Sequence, residues 1–163
     1  MISKKILEAI NAHIQEEMYS SNLYLSMAAY CESVNLKGFA HWMRIQANEE
    51  HGHAMKLFEH LVDRGGKPQI KGINEPPAGF ESPRDVFEKT LAHEREVTKK
   101  VHKLYEVALE EKDYAAQILL QWFISEQVEE EARVTETLEK LKSISEGSSA
   151  IFWVDKELRK RAG

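Results

Sequence analysis

Four glutamates carry the chemistry of this 163-residue chain: Glu17, Glu50, Glu94 and Glu130, with His53 three residues after the second of them. Each residue turns an α-helix by about 100°, so the face a side chain occupies can be counted from its number. Counted this way, Ile6, Ile10, Tyr24, Ala28 and Cys31 all fall within about 40° of Glu17. Phe39, Met43, Leu57 and Leu61 lie within about 20° of Glu50. Phe87, Val101 and Tyr105 bracket Glu94 as closely, and Leu119, Phe123 and Leu141 bracket Glu130, with Gln127 one turn earlier. A single glutamate on a helix is ordinarily solvated. Four, each inside an apolar stripe, are not.

Their heights agree as well. Each lies about 11 to 17 residues from its helix start, roughly 17 to 26 Å along a helix of about 42 Å, so all four converge near mid-bundle whichever way the helices run. A buried carboxylate without a partner costs several kcal/mol, and four converging ones repel one another. No Lys or Arg stands at the neighbouring stripe positions to neutralise them. A pair of divalent cations would. Oxygen-rich ligation with one imidazole suits iron or manganese better than a thiolate-selecting metal. Two such metals can together pass two electrons to dioxygen or peroxide, which one Fe(II) cannot.

The elements that must position these residues are helices. Gly and Pro concentrate between Gly65 and Pro83, and on either side helix formers dominate with no strand pattern. Ser3 caps a first helix running to about Glu32, and after a break at Ser33-Val34-Asn35 a second runs from about Leu36 to Arg64. Ser82 and Pro83 start a third, which runs to about Lys112, and Asp113 starts a fourth, ending near Ser145. Glu146-Gly147-Ser148-Ser149 breaks that helix, and Ile151 to Arg161 reads as a short fifth. Short links make the first and second helices antiparallel, and likewise the third and fourth. The middle connection, when extended, covers about 55 Å, enough to run the bundle's length and start the third helix parallel to the second. The expectation is an all-α, single-domain chain over residues 1–163: a four-helix bundle over about 3–145, one long crossover, and a fifth helix over about 149–161.

Composition narrows the class. With 30% charged and 42% hydrophobic residues the chain reads as globular, and a net charge of −5 argues against nucleic acid as a partner. Cys31 is the single cysteine, so no internal disulfide exists, and its Met27-Ala28-Ala29 neighbours predict a packed thiol. The start lacks the apolar run of a signal peptide and no stretch could span a bilayer, so no membrane role and a cytoplasmic location are expected.

At the metal-type residues the sequence resembles the bacterial non-haem ferritins, within the ferritin-like di-iron family. The resemblance spans nearly the whole chain, through Glu17-Met18-Tyr19-Ser20-Ser21-Asn22-Leu23-Tyr24, Ala47-Asn48-Glu49-Glu50-His51-Gly52-His53, His93-Glu94 and the run Leu120 to Glu131. Glutamates from facing helices with a Glu-x-x-His motif are a known pattern of di-iron bundles, so the match is recognition of that pattern. It implies a ferritin-like fold and an iron-storage protein with ferroxidase activity. Glu17, Glu50 and His53 would hold one iron, and Glu94 and Glu130 a second, with Glu50 bridging, Gln127 close by and Tyr24 a hydrogen-bonding or redox partner. Similar proteins have a third iron position toward the cavity, here Glu49, Glu126 and Glu129. The resemblance further implies a homo-oligomeric twenty-four-subunit cage, with Fe(II) and dioxygen or peroxide as substrates.

Departures from relatives set bounds. Bacterioferritin carries a second Glu-x-x-His motif where this chain has Gln127-x-x-Glu130, and its haem-ligating Met follows the bridging glutamate where this chain has His51. No haem is therefore expected. Rubrerythrin needs paired cysteines, and cages that protect DNA build their metal site between subunits. His51 falls about 100° from Glu50, which favours exposure, and Gly52 inside a helix costs about 1 kcal/mol, for which close helix packing is one reason. The fifth helix, with Ile151, Phe152, Trp153 and Val154, is too apolar for free solution and is expected to pack against symmetry mates. Two other readings remain at this point: a di-iron enzyme acting on an organic substrate in an apolar pocket beside the metals, and a purely structural bundle.

Overall fold

The computed structural model describes Met1–Gly163 throughout. Its elements are α1 (Lys4–Ser33), α2 (Lys37–Asp63), α3 (Pro83–Glu110), α4 (Tyr114–Lys142) and α5 (Ile151–Leu158). Three starts follow from local capping. Ser3 accepts from the Ile6 amide at 3.2 Å, Ser82 from the Asp85 amide at 3.0 Å with Pro83 at the first position, and Asp113 from the Ala116 amide at 3.0 Å. Helix α2 ends where Gly65 takes a φ of +71° and the Gly66 amide returns to Leu61 O at 2.8 Å, a left-handed turn that favours glycine.

The start of α2 is different. Leu36 offers no side-chain cap, and the first amides of this helix are served from the far end of the chain. Asp155 of α5 accepts from the Gly38 amide at 2.7 Å and from the Phe39 amide at 3.1 Å. The approach is so close that a Cβ on Gly38 would stand 1.8 Å from the Asp155 carbonyl oxygen. Only glycine permits it.

Helices α1 and α2 pack as one pair and α3 and α4 as another, joined through α1 and α3. The long crossover is laid along α1, pinned in ascending order by that helix's polar side chains. Asn11 holds Gln69 N at 2.7 Å, Gln15 holds Gly72 O at 2.5 Å, and Ser26 holds Pro77 O at 2.5 Å. It therefore returns the chain to the end where α2 began, and α3 starts parallel to α2 as expected. The apolar core falls into two parts. One gathers around Tyr24, Met27, Phe39 and Phe87, and the other around Ile10, Leu57, Val101 and Phe123. The glutamates lie between them.

Two expected boundaries shift. Helix α4 stops at Lys142 rather than near Ser145, because Ser143 caps it through bonds to the Glu139 and Lys140 carbonyls. Helix α5 stops at Leu158 rather than Arg161, because the following residues bend back onto α2. Its packing is also partly internal: Val154 and Leu158 are buried in its own subunit, while Phe152 and Trp153 stay exposed. Cys31 is fully buried, and burial pushes its thiol up to about 12.

Candidate metal centre

All four stripe glutamates are buried, together with His53, Gln127 and Tyr24. The structure brings Glu17, Glu50 and His53 into one cluster with ligand atoms within 4.8 Å of one another. His53 Nδ1 lies 3.1 Å from Glu50 Oε2 and 3.8 Å from Glu17 Oε2. A second cluster of the same tightness joins His53 to Glu130 and Glu126, with His53 Nε2 4.0 Å from Glu126 Oε1. Glu94 stands in neither. Its oxygens accept from Tyr24 OH and from Gln127 Nε2, the latter at 3.0 Å.

Of the outer carboxylates, Glu126 is therefore drawn inward, and Glu129 is exposed. Glu49 is engaged by cations of the protein itself: Arg161 at 2.7 Å and Arg133 at 3.2 Å meet its Oε2. The stripe positions themselves hold no Lys or Arg, but two arginines reach the rim from outside the stripes. Arg133, one turn beyond Glu130, reaches within 3.6 Å of Glu130 Oε2 from the rim, and Arg161 comes from the chain terminus. His51 is exposed and joins no cluster. Gly52 lines a cleft, and a Cβ there would meet nothing within 4 Å, so close helix packing is not its reason.

Two positioning residues escaped the sequence reading. Gln46 is buried and its Nε2 donates to Glu50 Oε1 at 3.0 Å and to Glu130 Oε2 at 2.7 Å, tying α2 to α4 across the centre. His13 is buried with its Nε2 2.9 Å from Glu17 Oε1, though out of line for a hydrogen bond. Each stands four residues before a stripe glutamate, and that spacing on one helix face was the available signal.

Without a metal, the buried carboxyls are pushed toward their protonated forms. Burial pushes Glu94 up to about 7, helped by the Glu130 charge. Burial also raises Glu50 well above the usual carboxylate range, with Glu94 and Glu17 adding to it, and raises Glu130. Burial opposes ionisation of Glu17 too, but the imidazoles of His13 and His53 outweigh it and hold that carboxyl below its usual range. Burial likewise works against a charged His53, yet Glu17 and Glu50 override it and carry the imidazole to about 11. Both Glu17 oxygens and Glu130 Oε1 are buried with no hydrogen-bond partner. Buried acceptors without donors are what cation ligation satisfies. The residues present fit a divalent metal.

A bundle of four helices with one long crossover and a central layer of carboxylates and imidazole defines a metal-binding helical protein. A family model for the ferritin-like domain matches residues 7–144. A bacterial non-heme ferritin of Bacteroides fragilis is 45% identical over 161 residues, covering 99% of this chain and 100% of that protein. One from Staphylococcus aureus is 37% identical over 161 residues, covering 99% and 97%. Among solved structures, an open-pore ferritin from the hyperthermophilic archaeon Archaeoglobus fulgidus matches with a TM-score of 0.97 at 48% identity, covering 99% of this chain and 100% of that one. The chain belongs to the ferritin family, whose function is iron storage with ferroxidase activity.

Proposed function

We propose that the whole chain, as one domain, is the subunit of a twenty-four-subunit shell that oxidises Fe(II) at this centre, with dioxygen or peroxide as oxidant, and stores the ferric product inside. Glu17, Glu50 and His53 bind one Fe(II), and Glu94 and Glu130 bind a second, with Glu50 spanning both and Gln127 beside them. The observation that carries this reading is the set of buried acceptors without donors at Glu17 and Glu130. Four carboxylates formally balance two divalent ions, and the same charges favour the more highly charged ferric products, so the centre is preorganised for oxidation. Each Fe(II) gives up one electron, and the pair, with two protons, reduces one dioxygen to hydrogen peroxide or one hydrogen peroxide to two waters.

Ligation needs His53 and any protonated carboxyl of the cluster to release a proton, so metal uptake is coupled to proton loss. Tyr24, which donates to Glu94 and is itself held neutral by burial and the Glu94 charge, keeps that carboxylate turned inward. The cleft that reaches His53 is lined by Glu49, Glu59 and Glu126, with Lys56 over the Trp122 ring. Its charge suits a cation better than an organic substrate. A more apolar groove, between Tyr30, Leu141, Ile151 and Phe152, lies at the end of the bundle away from the glutamates. Glu49, Glu126 and Glu129 form a third iron position on the way to the cavity. Haem has no part in this reading, since His51 rather than Met follows Glu50. No helix is long and apolar enough to cross a membrane, in keeping with a cytoplasmic role.

Glu50→Ala tests the assignment by stopped-flow oxidation of Fe(II). The expected result is loss of the rapid phase in a shell that still assembles. Rapid oxidation retained in that variant would remove Glu50 from the centre.

A further inference from the structure

The last residues of the chain reach the edge of the metal centre. Beyond α5 the Arg161 carbonyl accepts from His41 Nε2 at 2.8 Å. The Arg161 guanidinium lies over the Trp42 ring, 4.2 Å from its centroid. It donates to Trp42 O at 3.2 Å, to Gln46 Oε1 at 3.0 Å and to Glu49 Oε2 at 2.7 Å. Only 11% of its side chain is exposed. A guanidinium stacked on indole and bonded in three directions is fixed far more firmly than an exposed surface pair.

Both arginines hold Glu49 through Oε2, so a metal ion at this carboxylate, even on Oε1, meets two guanidinium charges a few ångströms away, and like charges repel. We infer that Arg161 sets the affinity of the outer cation position: the C-terminal segment supplies a tethered counter-ion on Glu49 that weakens the hold of this carboxylate on an incoming Fe(II). The inference rests on the reading of Glu49, Glu126 and Glu129 as a third iron position. Its consequence is an order of filling, with the inner pair loaded before the outer position. Gln46 links the two levels, because its Oε1 holds Arg161 while its Nε2 holds Glu50 and Glu130. Displacing the guanidinium removes one of the bonds that orient this amide.

The test is anaerobic calorimetric titration of the assembled shell with Fe(II) alone, read as equivalents bound per chain and the affinity of each. The wild type is expected to bind two equivalents tightly and a third more weakly. Arg161→Gln is expected to tighten the third about tenfold while leaving the first two in place. Arg161→Lys, which keeps the charge but not the stack on Trp42 or the three-way bonding, tightens it less than Arg161→Gln does, and Glu49→Gln placed on Arg161→Gln cancels the gain. A loss of tail packing alone would not produce that pattern. A third equivalent that is lost in Glu126→Gln but unchanged in Arg161→Gln overturns the role of Arg161 and leaves the third position standing. No third equivalent in either the wild type or Arg161→Gln overturns both. If Arg161→Gln does not assemble, Arg161→Met, which keeps the length of the side chain and its apolar contact with Trp42 without the charge, takes its place, and unchanged affinity for the third equivalent in that variant overturns the inference.

Discussion

Glu94 shows how a single buried acid ties metal binding to stability. Its pKa rises from 4.5 to about 7 because burial and the Glu130 charge disfavour the carboxylate. The folded chain then keeps a proton that the unfolded chain has released, so this contribution is complete below the unfolded value and is lost as pH rises through the folded one. His53, carried to about 11 from 6.5, acts with the same sign at higher pH. Glu17 has the opposite sign, but its contribution is lost only as pH falls below its ordinary range. The metal-free protein should therefore lose thermal stability as pH is raised from about 5 to about 8, with Glu94 accounting for on the order of 3 kcal/mol of the change. Thermal melts of metal-free Glu94→Gln should show a shallower slope, and a divalent cation should flatten it in the wild type. A metal-free melting temperature that rises over that range would refute the assignment.

At the scale of elements, what could be read in advance was what is local. Ser3, Ser82 with Pro83, and Asp113 announce their helices because a cap and the amide it serves are three residues apart. The four glutamates were readable for a related reason, since helical periodicity alone sets their face. The start of α2 was not readable, because its cap, Asp155, is 117 residues from Gly38. The same holds for Arg161, whose partners Gln46 and Glu49 are met only after the tail folds back. Asp155→Ala should cost about 1–2 kcal/mol in a thermal melt through loss of this cap. Gly38→Ala should be worse, because its new methyl meets backbone rather than a flexible side chain and α5 must move. The comparison is read as the difference in melting temperature, and equal losses would mean that α5 already yields. Since α2 carries Gln46, Glu49, Glu50 and His53, both variants should also weaken divalent-cation binding.

At the scale of the whole molecule, the exposed apolar residues identify what the monomer leaves unsatisfied. Tyr114, Ile118, Val128, Phe152 and Trp153 all face outward on the isolated subunit. Burying them against copies of the chain is the simplest resolution, and closed symmetric assembly is the usual outcome. A twenty-four-subunit shell of 18.8 kDa chains should elute at about 450 kDa on size exclusion. After aerobic addition of excess Fe(II), that peak should hold far more than two irons per chain. About two per chain in a small species would favour a di-iron enzyme without storage. The buried Cys31 has a practical consequence for such a particle. Thiol-directed reagents should reach it only when the bundle opens, so its labelling rate is a clock for unfolding within an intact assembly. While that clock is silent, a cysteine introduced at an exposed position becomes the sole reactive attachment point, repeated once in every subunit.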